Sequence, residues 1–161
     1  MSYTGGQLIT DILTGTGINT VFAVGGASHT YVLQPLADAG VEIVSNRHEA
    51  GAVGAADGYA RIKGAPGVAM IVADQGLPNA IGALAVAWHA ASPVVVLVAC
   101  PPRPHAEADR GIDQDKLALV APISKWARSV PSVDRLEDYL QTALKHAMSG
   151  RPGPVDRSSR V

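Results

Sequence analysis

The chain has 161 residues, 47 % of them hydrophobic and 17 % charged, with a formal net charge of -1. That is enough for one domain with a filled core, too little for two full-sized ones, and unlike a disordered tail. The near-zero charge speaks against a general grip on nucleic acid, which needs a basic face.

Leu8, Ile9, Ile12 and Leu13 recur at helical spacing, and Gly15 and Gly17 close that segment. Residues 20–24 form a short β-rich run ended by Gly25 and Gly26. The spacing of Val32, Leu33 and Leu36 predicts a helix over about 29–39, with Pro35 placed best near its first turn. Residues 41–44 read as a strand, and 49–63 as a helix of small residues rich in Ala and Gly. Residues 67–72 and 93–99 are continuous apolar runs, the pattern of strands buried on both faces. Between them, 79–91 reads as a nearly apolar helix. Residues 101–113 are polar loop, 123–130 hold a short strand, and 133–148 form a helix with Leu136, Tyr139, Leu140, Ala143 and Leu144 inward. This alternation predicts an α/β fold in three layers, a mostly parallel sheet between helices. Ligands of such sheets sit beyond the carboxyl ends of the strands, which points to residues 25–28, 46–49, 73–79 and 100 onward.

The one cysteine, Cys100, leaves no internal disulfide framework and no cysteine zinc cage, and an inert core thiol is the simplest reading of it. The N-terminus lacks the basic segment and apolar run of a signal peptide, and no stretch approaches ~18 uninterrupted apolar residues. The expected setting is cytoplasmic, without membrane contact. His29, His48, His89, His105 and His146 show no metal spacing, and Arg103, His105 and Arg110 read as a solvated loop. Gly25-Gly26-Ala27-Ser28 and Asp74-Gln75-Gly76 are turns that match neither the dinucleotide fingerprint nor the phosphate loop. Arg47-His48-Glu49 follows a strand and opens a helix. Helix-start electrostatics alone accounts for an acidic residue there, and catalysis is the alternative. The glycines of the following helix cost about 1 kcal/mol each against alanine, so something must pack closely against it, another helix, a subunit or a flat ligand.

Four segments carry more. RHEAGAVGAADGYAR (47–61), GVAMIVADQGLPNAIGALAVAWHAASPVVVL (67–97), APISKWARSV (121–130) and SGRPGPV (149–155) resemble the pyrimidine-binding domain of thiamine-diphosphate enzymes, on the acetolactate synthase and benzaldehyde lyase branch. The resemblance runs in order over 5–155. It implies that Glu49 is catalytic, sharing a proton with the aminopyrimidine ring so that the cofactor can attack the carbonyl of a 2-oxo acid or aldehyde. It implies cofactor contacts from Glu49, Gly76 and Asn79, and a dimer interface beside the small-residue helix. Three departures stand out. Asp74-Gln75-Gly76 replaces a glycine-proline-glycine turn. Ala23-Val24-Gly25-Gly26 replaces the family turn after the first strand, and a substrate-contacting histidine falls at Ser28, beside His29, a role carried over to neither. The loop Gly111-Ile112-Asp113-Gln114 resembles a family block at shifted spacing, so Gln114 receives no role.

The domain is expected to span 1–155. Residues 156–161 are expected to be a polar remnant in place of an apolar strand, and no G-D-G diphosphate motif follows. The resulting expectation is a pyrimidine domain lacking its diphosphate and magnesium half, inactive alone, that pairs with itself or with a diphosphate-binding partner chain. The alternatives are the alpha chain of a split 2-oxo acid decarboxylase and a non-catalytic dimerisation domain.

Overall fold

Thr4 opens α1 (Gly5–Gly15) with a capping box, its side chain accepting from the Gln7 N–H while the Gln7 side chain accepts from the Thr4 N–H. The structure, a computed structural model, describes residues 3–26, 29–72, 75–99 and 116–159. After α1 come β1 (Thr20–Ala23), α2 (Thr30–Asp38), β2 (Glu42–Ser45), α3 (Glu49–Lys63), β3 (Gly67–Val72), α4 (Gly76–His89) and β4 (Val94–Ala99). Then follow α5 (Lys116–Val120) with a 3-10 turn (Ala121–Ile123), β5 (Trp126–Val130), α6 (Leu136–Met148) and β6 (Val155–Ser159). Ser28, Asp74, Cys100, Arg103, His105, Arg110 and residues 111–114, considered above, lie outside the described residues.

The six strands form one sheet in the order β2-β1-β3-β4-β6-β5, every pair parallel. The three-layer α/β expectation holds. The two apolar runs become β3 and β4, whose residues are almost wholly buried. One face of the sheet packs on α1, α2 and α6 through Leu13, Leu36, Leu136, Leu140 and Leu144. The other packs on α3, α4 and α5 through smaller side chains, among them Ala52, Ala56, Ala80 and Ala87. Small residues let α3 and α4 approach the sheet and each other closely, which sets the position of their amino ends.

Three local expectations are corrected. Pro35 lies well inside α2 rather than in its first turn. Proline supplies no N–H for the Tyr31 carbonyl four residues back. That carbonyl is turned toward Gly6 of α1, where a Cβ would collide with it, so the broken helix bond lies where the two helices pack closely. Second, α4 begins at Gly76, three residues earlier than expected, because Pro78 sits in the first turn, where its missing N–H has no helical partner to lose.

The third correction concerns the end of the sheet. Residues expected to be a polar remnant form strand β6, seated between β4 and β5, with Asp156 paired in register to Val96 on one side and Ala127 on the other. Backbone ladders on both sides supply the pairing whatever the side chains are. The polar composition misled because it describes side chains, and a strand held on both edges is specified largely by its neighbours.

Candidate functional site

Parallel pairing brings the carboxyl ends of all strands to one edge. The strand order turns back at β1, with β2 on one side and β3 on the other, and open sheets of this kind bind ligands beyond such a reversal. The segments after β1, β2 and β3 therefore meet there.

Glu49 is the first residue of α3. His48 caps that helix in an extended conformation, its Nδ1 accepting from the Ala50 N–H at 3.2 Å. Since His48 does the capping, the Glu49 side chain is left free of that task. It points inward and is only 7 % exposed. Its Oε2 accepts a hydrogen bond from Asn79 Nδ2 at 3.1 Å, across a sequence separation of 30 residues. A carboxylate here also sits in the favourable field of the helix amino end.

Gly76 completes the contact. A Cβ at this position would stand 2.9 Å from Glu49 Oε1 and 2.7 Å from Val72 Cγ2, distances that only a residue without a side chain relieves. The structure thus brings together the three residues the sequence singled out, Glu49, Gly76 and Asn79. The Glu49–Asn79 hydrogen bond joins α3 to α4, and Gly76 keeps the space beside the carboxyl clear.

Val72 was not singled out, since nothing separates it from the rest of an apolar strand. It forms the floor between two halves of the edge, because a Cβ on Gly26 would stand 2.7 Å from its Cγ1. His29, just before α2, lies against the same glycine and is 2 % exposed. Neither ring nitrogen has a hydrogen-bond partner. Burial pushes the imidazole below its ordinary value, offset in part by the nearby Ile71 backbone. His48 serves as a helix cap, and His146 stacks on Trp126. Deeper in α3, Arg61 pairs with the buried Asp57, whose carbonyl accepts from Ser92, tying the helix to the start of β4.

The arrangement suits the ring end of a flat heteroaromatic group. A largely buried carboxyl oriented by an amide can share a proton with a ring nitrogen, and a glycine and an aliphatic side chain beside it present apolar surface of the kind a planar ring packs on. Thiamine diphosphate has such a ring, and the residues present fit it. Among the described residues, no three His, Cys, Asp or Glu side chains gather as metal ligands, and no helix is long and apolar enough to cross a membrane.

Comparison with known proteins places the chain among thiamine-diphosphate enzymes. Residues 3–121 match the family described as thiamine pyrophosphate enzyme, N-terminal TPP binding domain. The chain is 34 % identical over 151 residues to 2-hydroxyacyl-CoA lyase 2 of Danio rerio, covering 94 % of this chain and 24 % of that protein. It is 37 % identical over 151 residues to acetolactate synthase isozyme 2 large subunit of Escherichia coli (strain K12), covering 94 % and 28 %. It is 35 % identical over 153 residues to human 2-hydroxyacyl-CoA lyase 2, covering 94 % and 24 %. The chain spans about a quarter of the length of these relatives. With a match over most of its length and a fold of the kind that match implies, the chain belongs to the N-terminal TPP-binding domain family of thiamine pyrophosphate enzymes.

Proposed function

We propose that this domain supplies the pyrimidine-binding half of a thiamine-diphosphate enzyme that makes or breaks carbon-carbon bonds next to a carbonyl, acting on a 2-oxo acid or aldehyde in a cytoplasmic setting. One observation carries the reading: Glu49, almost buried at the head of α3, is held by Asn79 beside the side-chain-free Gly76. When bound, the cofactor supplies a thiazolium that serves as electron sink for a carbanion. Glu49 shares a proton with the ring nitrogen, Asn79 fixes the carboxyl's orientation, and Val72 keeps water from the ring's face. Magnesium and the diphosphate are held by another domain or chain, because the residues gathered here grip only the pyrimidine end. Lyase and transferase chemistry are both open to such a site.

The same reading includes self-association. Gly54 and Gly58 on α3 and Gly82 on α4 face open space, and Ile62 and Val86 on those helices are 87 % and 57 % exposed. A second copy of the chain would cover this small-residue face with close helix contacts. Sedimentation at tens of micromolar (on the order of modest interface affinities) is expected to show a dimer.

The experiment is calorimetry with thiamine diphosphate and magnesium, first on the chain alone and then with a diphosphate-binding partner. Binding is expected only with the partner, together with turnover of a 2-oxo acid. Glu49→Gln should then remove most activity and leave the fold intact, since a carboxamide cannot share the proton. Micromolar binding by the chain alone (about -8 kcal/mol) would overturn the division of labour. Full activity of the reconstituted Glu49→Gln enzyme would overturn the role of Glu49. A folded dimer that no partner activates would favour a non-catalytic dimerisation domain, and activation by a separately encoded chain would favour a split decarboxylase.

A further inference from the structure

Asp156 stands in the interior of the sheet, on β6, with strands on both sides. It is 0 % exposed, and neither carboxyl oxygen has a hydrogen-bond partner. Its in-register neighbours, Val96 and Ala127, belong to the apolar cluster under α4 and α5, which also holds Leu84, Val120 and Ile123. Strand alternation sends Val155 to the opposite cluster and Asp156 into this one. Among the described residues, the ionisable groups of the surrounding elements are His89 on α4, Lys116 on α5 and Arg128 on β5; His89 and Arg128 are exposed, and none of the three bonds the carboxyl. A carboxyl so placed is tolerable only with its proton, because a buried unpaired charge is among the costliest groups a core can hold.

From this placement we propose that β6 is a proton-locked strand, seated while the Asp156 carboxyl is protonated and released from the sheet when it ionises, freeing β5 as well. Among the described strands β5 pairs only with β6, so β6 cannot leave without stripping β5 of its ladder. The β2-β1-β3-β4 block, which carries Glu49, Gly76 and Asn79, stays continuous without them. The trigger operates near neutrality, since burial raises the Asp156 carboxyl to about 7.

Hydrogen exchange on the full chain at about pH 5 and about pH 8.5, corrected for the intrinsic pH dependence of exchange, tests this. Peptides covering β5 and β6 are expected to lose at least about tenfold in protection relative to β3 and β4 at the higher pH. Asp156→Asn and Asp156→Val, which cannot ionise, are expected to abolish that difference, and either one that folds suffices. Equal behaviour of the two halves of the sheet in the unaltered chain would overturn the proposal. So would a pH difference that persists in the variants.

Discussion

Glu49 and Asp156 are both carboxyl groups withdrawn from water on the α3–α4 side of the sheet, and they teach opposite lessons. Glu49 stands at the carboxyl edge, where a helix amino end, an amide donor and a side-chain-free glycine hold the group in place. Asp156 stands mid-sheet among valine and alanine, with no partner and no open side. Burial alone therefore does not make a site. What distinguishes Glu49 is a donor that fixes it at the strands' carboxyl edge.

The largest effect expected from this contrast belongs to Asp156. Its carboxyl ionises at 3.8 when unperturbed and at about 7 when folded. Between those values the folded chain keeps a proton that the unfolded chain releases, so stability falls as pH rises through the window and levels off above it. The loss amounts to as much as about 4 kcal/mol. Urea titrations of the unaltered chain should show that slope, and Asp156→Val should remove it and raise the neutral-pH midpoint. His29 acts with the opposite sign: its folded value is lowered, so its contribution is complete above about pH 6.5 and declines as pH falls below it. A flat profile in the unaltered chain would break the comparison.

Gly76→Ala comes next. Its Cβ would press on Val72 and on Glu49, an overpacking that costs about 1–3 kcal/mol and displaces the carboxyl from Asn79. Gly15→Ala serves as the control. That position faces open space in the last turn of α1, away from the helix face proposed for self-association, so the same change should stabilise by about 0.5 kcal/mol. Thermal melts of the pair should move in opposite directions.

The smallest effects concern the hydrogen bond itself. Asn79→Ala removes the donor, but Asn79 itself is exposed and water can replace its amide, so the expected cost is about 1 kcal/mol. Glu49→Gln should cost less, within about 0.5 kcal/mol, because the carboxamide oxygen can still accept from Asn79. A larger loss for Glu49→Gln than for Asn79→Ala would mean that the carboxylate charge, rather than the contact, stabilises the edge.

Much of the site was legible before the fold. Glu49 follows a strand-like run and precedes a helical one, which already places it at a strand's carboxyl end, and the R-H-E and A-D-G-Y-A-R words name its relatives. His29 was harder to read, since a histidine at a helix start looks the same in sequence whether it faces solvent or, as here, a strand end and a glycine. Val72 was invisible, because its role comes from the two glycines that lean on it, Gly26 after β1 and Gly76 at the start of α4.

The sequence by itself determined the alternation of strands and helices, the two buried central strands and the acidic head of α3, because local periodicity and helix-start chemistry depend on neighbours along the chain. Tertiary structure alone decided the strand order, the Glu49–Asn79 bond across 30 residues and the turning of the Tyr31 carbonyl toward Gly6. It also decided the seating of β6, which no side-chain pattern announces: a polar segment becomes a central strand when two neighbouring strands offer it complete backbone ladders, and the carboxyl it carries inward is the cost of that pairing.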